Sequence, residues 1–251
     1  MAQTDSAGTP WTGRHFEENA FSGDDGSAPE RLLETLRRFR SRAVGEVEVV
    51  DAFRESRLLI PLVARVGEVG VNERGILLEE TAELSIVTVA GPDSRDVMPV
   101  FSSVEAMRRW NPAARPVPAD AVRVALAAAS ENTELVVLDA TSETEFVIRR
   151  PALWAIAQSR TWLPSYLDQN VLEAFLTSAE PEWAVLSVLL DAGDADARLA
   201  GPELIVQLGL VASLARPELD ALLERLRRRW SDSTLIATRV DSLRVRVVPV
   251  E

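Results

Sequence analysis

Phe101, Trp110, Arg115 and Pro116 are the residues of this chain whose types and spacing best suit recognition chemistry. A tryptophan at the end of a short helix, followed by an arginine between prolines, offers a rigid stacking face and a forked hydrogen-bond donor. Tryptophan and arginine are the side chains that most often dominate binding energy at interfaces. The same residues also suit a plainer role, in which Phe101 and Trp110 pack the helix on a sheet and Arg115 pairs with a local acid. A second cluster, Asn19, Phe21, Asp24 and Asp25, lies in a leader rich in Gly, Ser and Asp. Its carboxylates suit either a hard cation or an Asx-turn leading into a helix capped by Ser27. It lacks the regular oxygen alternation of a calcium loop. Asp191-Ala192-Gly193-Asp194-Ala195-Asp196 reads in the same way as a flexible hairpin loop rather than a metal site.

The inventory narrows the chemistry further. The chain has no cysteine, no lysine and one histidine, His15. A thiolate nucleophile or metal site, a disulfide, a Schiff-base lysine and a lysine-bearing phosphate loop are therefore excluded. His15 stands in the leader without a second histidine, so an exposed or loop-packed side chain is expected there. Ser102, Ser103 and Thr88 lack a Gly-x-Ser-x-Gly context. Carboxylate-only acid–base chemistry would need a pair among 39 acidic residues, and no spacing selects one. The expectation is a protein that is not an enzyme and that holds no cofactor and no metal.

Net charge is −12, with a sequence pI near 4.7. Nucleic-acid binding by counterion release and docking on an anionic membrane both need basic patches, so neither partner is expected. A basic or mixed-charge protein partner is compatible, because complementary charge raises association rates. All 27 basic residues are arginine, which stacks, forks onto carboxylates and stays charged. The first ten residues lack a basic region and an apolar core, and runs such as Leu58–Ala64 are too short to span a bilayer. A cytoplasmic location and an unidentified cytoplasmic protein as partner are expected; the oligomeric state is not encoded in any pattern we find.

The elements that must position these residues follow from periodicity. Residues 1–26 read as a partly ordered arm, 27–162 as a first domain and 163–251 as a second. Helices are expected from Glu30, over Val47–Glu55, Val104–Trp110 after a Ser103 cap, Ala119–Ala129, Pro151–Ala157, Asn170–Thr177 and Pro217–Trp230. The first carries Leu32, Leu33, Leu36 and Phe39 on one face, the fourth Val122, Leu126 and Ala129. Leu153, Trp154 and Ala157 form the expected inner face of the fifth, and Trp162 and Trp183 are expected in the core or at a seam. Strands are expected at Leu58–Val63, Glu83–Val89, Asp96–Phe101, Leu135–Leu138, Glu145–Ile148, Trp183–Leu190, Glu203–Leu208, Thr234–Val240 and Leu243–Val248. Pro61 cannot donate to a ladder, so its strand is expected at an edge or with a bulge. The fold class is α+β: two small mixed domains, each a sheet packed against helices. The pattern also fits a pseudo-duplicated helix–strand–strand–helix–strand–strand layout, with a groove between the copies.

Several blocks resemble one family in order along the chain. Trp11-Thr12-Gly13-Arg14 and Asn19–Gly26 are similar to the opening of actinobacterial SseB proteins, named for enhanced serine sensitivity. Arg57–Ala64 resembles that family's first strand. Pro99–Ser103 through Trp110, with Ala114–Pro118, resembles its most recognisable block, and Phe146–Trp154 the close of its N-terminal domain. The chain departs from the pattern at Ala20, where the family often has proline. The second half is similar to the family's C-terminal domain only in strand–helix layout. The resemblance implies no enzymatic activity. The inventory and the Phe101, Trp110 and Arg115 block point to a protein-interaction or regulatory role, and the family's name implies small-molecule (amino-acid) sensing linked to serine metabolism as the alternative.

Overall fold

The computed structural model describes residues 23–65, 83–212 and 214–250. The first half opens with helices α1 (Glu30–Arg40) and α2 (Glu46–Arg54). In α1, Leu32, Leu36 and Phe39 fall three and four residues apart and are buried on one stripe. Pro29 occupies the cap position, not Ser27, because Ser27 is drawn into the preceding turn by Asp25. Strand β1 (Leu58–Arg65) then pairs antiparallel with β2 (Glu83–Ile86) on one side and β5 (Arg115–Ala119) on the other. A second sheet runs β3 (Val89–Ala90), β4 (Asp96–Val100), β6 (Val136–Leu138), β7 (Phe146–Ile148). Helices α3 (Val104–Trp110), α4 (Ala121–Ser130) and α5 (Arg150–Ala157) complete this half.

Pro61 lies in the central strand of its sheet rather than at an edge. The register explains how. Leu59 exchanges both backbone hydrogen bonds with Phe101, so its polar groups point away from β5. By the two-residue alternation of a strand, Pro61 points the same way. It falls between the Leu59–Phe101 bridge and the start of β2 pairing at Leu62, where no donor is called for. Pro116 and Pro118, opposite Pro61 and Leu59, turn their nitrogens to the outer side of β5. All three prolines thus sit where the ladder loses nothing.

The second half holds α6 (Gln169–Ala179), β8 (Val185–Ala192), β9 (Leu204–Val211), α7 (Arg216–Asp232), α8 (Thr234–Arg239) and β10 (Leu243–Val250). Its sheet has the order β10-β9-β8, with β9 and β10 parallel. Val171 and Phe175 of α6 with Leu222, Leu226 and Trp230 of α7 pack on alternate residues Leu204, Val206, Leu208 and Leu210 of β9. The expected strand over Thr234–Val240 is instead α8. Ser233 caps it, and Ile236 and Val240, one helical turn apart, are buried. A parallel partner for β9 needs a crossover, and α7 with α8 provides it; the β-branched run alone does not show that demand. Among the described residues the halves are therefore not copies: the first has two sheets and the second one.

Three apolar residues face water against expectation. Leu126 is exposed because α4 buries Ala121, Val124, Ala125 and Ala128 on the opposite stripe. Trp154 stacks under the Arg150 guanidinium at the surface, and Trp183 is 77% exposed. Trp162 does pack against the first-half core.

Charges join the halves. Arg149, at the cap of α5, is 6% exposed and reaches Asp194 at 2.5 Å and Asp241 at 3.0 Å. Asp241 also receives both arms of Arg95, at 2.9 and 3.0 Å. Burial alone would raise the Asp241 pKa, yet the two guanidiniums hold it below the ordinary carboxylate value. Asp194 further accepts from the Leu199 N–H at 2.7 Å. The loop expected to be a flexible hairpin is therefore a packed tongue: Ala197 joins the first-half core, and its carbonyl accepts from Val147 at 2.8 Å. Arg149→Ala leaves two buried carboxylates short of a partner; we expect a loss of about 3–5 kcal/mol in denaturant unfolding.

Glu46 is a second seam residue, accepting from the Tyr166 hydroxyl at 3.0 Å. Burial raises its pKa from 4.5 to about 7, opposed by the Tyr166 hydrogen bond, reinforced by Glu203 and Asp194, and countered by Arg149. Between pH 4.5 and 7 the folded chain binds more protons here than the unfolded one. This contribution is complete below pH 4.5 and lost as pH rises through about 7. Glu46→Gln, which keeps an acceptor for Tyr166, is expected to flatten this part of the stability–pH curve in urea titrations and to exceed wild type above pH 7.

Candidate functional site

The residues singled out from sequence come together around α3, and mostly as packing. Phe101 is 0% exposed and forms a small core with Leu59, Met107 and Ala114. It offers no atom to a partner. Trp110 is half-buried, its ring 5.3 Å from that of Phe101 at 40°. Ser103 caps α3, accepting from the Ala106 N–H at 3.1 Å. Arg115 and Pro116 are exposed at the start of β5. Among the described residues that strand is an edge, and its outward prolines present no N–H for strand addition.

Of the secondary cluster, Asn19 and Phe21 lie outside the described residues, as does His15. Asp24 pairs with the Arg57 Nε at 2.8 Å and accepts from the Gly26 N–H at 3.0 Å. Asp25 accepts from the Ser27 N–H at 2.8 Å, and hydrogen bonds from Ser27 lower its pKa. The carboxylates thus build Asx-turns. They leave Gly26 at φ +77°, and its carbonyl accepts from the Val104 N–H at 2.9 Å. A Cβ at Gly26 would stand 2.7 Å from Val104 Cγ2, so the close approach needs glycine. No group of three or more metal-ligating side chains occurs among the described residues.

The larger feature is one that residue spacing did not indicate. A cleft of about 810 Å³ opens between the last turn of α1, α3, the β6–β7 loop and the tongue of the second half. Arg37, Arg40, Arg109 and Arg198 line it, with Ser142 and Thr144 between them. Arg40 donates to the Asp196 carbonyl at 2.6 Å and to that of Glu145. Arg198 donates to the carbonyls of Ser142 and Glu143 at 3.4 and 3.1 Å. The Nε of each is buried and has no hydrogen-bond partner among the described residues. Desolvation, and then the neighbouring Arg198, lower the Arg40 pKa.

The loop on one wall is held by Asp139. Its carboxylate accepts from the Ser102 N–H at 2.8 Å, the Ser102 hydroxyl at 2.7 Å and the Thr144 hydroxyl at 3.3 Å. Burial raises its pKa, and these hydrogen bonds oppose the rise. Ser102 is buried with it, so this serine–carboxylate pair positions a loop and does not face the cleft as a nucleophile. Sequence reasoning missed the cleft because Arg37 and Arg198 are far apart in the chain. The available hint was the arginine-rich last turn of α1, which also complements its helix dipole.

Residues 30–155, just over half of the chain, match the model of the SseB protein N-terminal domain. The chain belongs to the SseB family. The match runs from α1 into α5 and so contains Arg37, Arg40, Arg109 and the β6–β7 loop; Arg198 lies beyond it. No curated protein and no solved structure matches the chain. Within the SseB domain the roles of Trp110 and Arg115 separate by stability. Trp110→Ala, which strips a ring from Phe101, is expected to cost about 1–3 kcal/mol in chemical unfolding. Arg115→Ala is expected to stay within about 0.5 kcal/mol of wild type.

Proposed function

We propose that this SseB-family protein is a non-catalytic regulatory protein of the cytoplasm that acts by binding a small molecule in the cleft between its halves. The observation that carries this reading is the composition of the walls: α1, α3 and the β6–β7 loop from the first half, Arg198 from the second. A ligand there touches both halves, so occupancy translates into how firmly they are joined. The buried carboxylates support a non-catalytic role, since Asp139, Asp194, Asp241 and Glu203 are each engaged in bonds that hold structure. Among the described residues no helix is long and apolar enough to cross a membrane.

The screen that tests this is thermal unfolding with a panel of small metabolites, the amino acids suggested by the family's serine phenotype among them. A ligand at 100 times its Kd adds about 2.7 kcal/mol. For a chain of this size that raises Tm by roughly 5–10 °C. A panel without any saturable shift overturns the small-molecule reading.

A protein partner is the second reading, favoured by the exposure of Arg115 and Pro116 next to the half-buried Trp110. Arg115→Ala is the informative variant, because Trp110 also supports the fold. A partner captured from native cytoplasm by wild type and lost by Arg115→Ala supports this face; equal capture by both removes it.

A further inference from the structure

The chain carries 39 acidic residues against 27 basic ones, yet one cavity collects the guanidiniums of Arg37, Arg40, Arg109 and Arg198. Among the described residues Glu143 is the one carboxylate on its lining. Arg37 and Arg109 do have acidic neighbours, Glu34 at 3.7 Å and Glu105. Both are exposed pairs along a helix, which contribute little and exchange easily. Arg198 makes no ion pair among the described residues and donates only to backbone carbonyls. Arg40 is drawn into the seam by the Asp196 and Glu145 carbonyls, with the Asp196 carboxylate 3.8 Å away.

A buried charged donor without an acceptor is costly, and the Nε–H groups of Arg40 and Arg198 are in that position, as are guanidinium nitrogens of Arg54 and Arg150 away from the cleft. The Arg40 and Arg198 side chains both line a cavity whose volume suits a small metabolite. Guanidinium forks match the paired oxygens of phosphate and carboxylate groups. The Ser142 hydroxyl adds a neutral polar group on the loop wall, beside Thr144, whose own hydroxyl donates to Asp139.

We propose that the cleft binds a small organic polyanion, carrying either a phosphate group or paired carboxylates, with Arg40 and Arg198 gripping it from the two halves. This rests on the small-molecule reading above and narrows it to a chemical class. Bound there, the anion neutralises arginines from both sides of the seam and draws the tongue onto the first half.

The test is thermal unfolding and calorimetric titration of the full chain at constant ionic strength. The probes are glycerol 3-phosphate, citrate, inorganic phosphate, uncharged glycerol and the zwitterionic amino acids. Wild type is expected to give a saturable Tm rise with glycerol 3-phosphate or citrate and none with glycerol. The tighter of the two identifies phosphate or carboxylate as the source of charge. Arg198→Gln is expected to weaken that binding at least tenfold, whereas Arg216→Gln, exposed at the start of α7 outside the cleft, leaves it unchanged. Because Arg40 also supports the seam, Arg37→Gln serves as the second cleft variant and is expected to weaken binding severalfold. Absence of saturable polyanion binding, or binding that Arg198→Gln retains in full, overturns the proposal. If amino acids bind and polyanions do not, the ligand class falls while the small-molecule reading stands; if nothing binds, both fall.

Discussion

The buried Arg149 is the constraint on which the arrangement of this molecule depends. Its guanidinium sits between Asp194 and Asp241, whose side chains are 3% and 1% exposed. Three charges removed from water are tolerable only if each meets an opposite charge with good geometry and the remaining lone pairs are satisfied. That requirement is met by Arg95 on Asp241, by the Leu199 N–H on Asp194 and by the Gly201 carbonyl on Arg149. The four charged groups come from four segments: Arg149 from the cap of α5, Arg95 from the β3–β4 hairpin, Asp194 from the tongue and Asp241 from the approach to β10. The network therefore fixes segments that secondary structure alone would leave independent.

The position of the cleft follows from that network. Asp194 is four residues from Arg198, so anchoring the one delivers the other to the β6–β7 loop. The tongue pays for this with left-handed backbone at Ala197 and Leu199, φ 48° and 57°. Burial of both side chains in first-half clusters holds them there. The result brings Arg198 beside Arg40 in a chain whose net charge is strongly negative. Such a local reversal of sign focuses the field on a small volume, which matters for anionic ligands more than overall charge does.

Around α3 the balance runs the other way. Phe101 and Trp110 look like recognition residues from their types, and the sheet uses them to seat a helix. The prolines of β1 and β5 remove donors where no ladder bond is needed, and on β5 they blunt the outer edge. Asp24 and Asp25 spend their oxygens on turns that bring Gly26 against Val104. Side-chain chemistry that is free in a sequence is thus consumed by folding.

Much of the fold was legible in the chain itself. The 3.6-residue stripes of α1 and α7, the Ser103 cap, the Pro151 helix start and the β6–β7 hairpin are local patterns, set by sterics and by burial of one face. The absence of lysine and cysteine likewise bounded the chemistry without any structure. What only the tertiary structure decided depends on partners remote in sequence. Thr234–Arg239 became a helix because β10 must run parallel to β9, and Leu126 was exposed because the alanine stripe of α4 fits closer to its neighbours. The arginine cleft belongs to the same class: charges act through space, so residues with no common spacing meet only after the seam between the halves has formed.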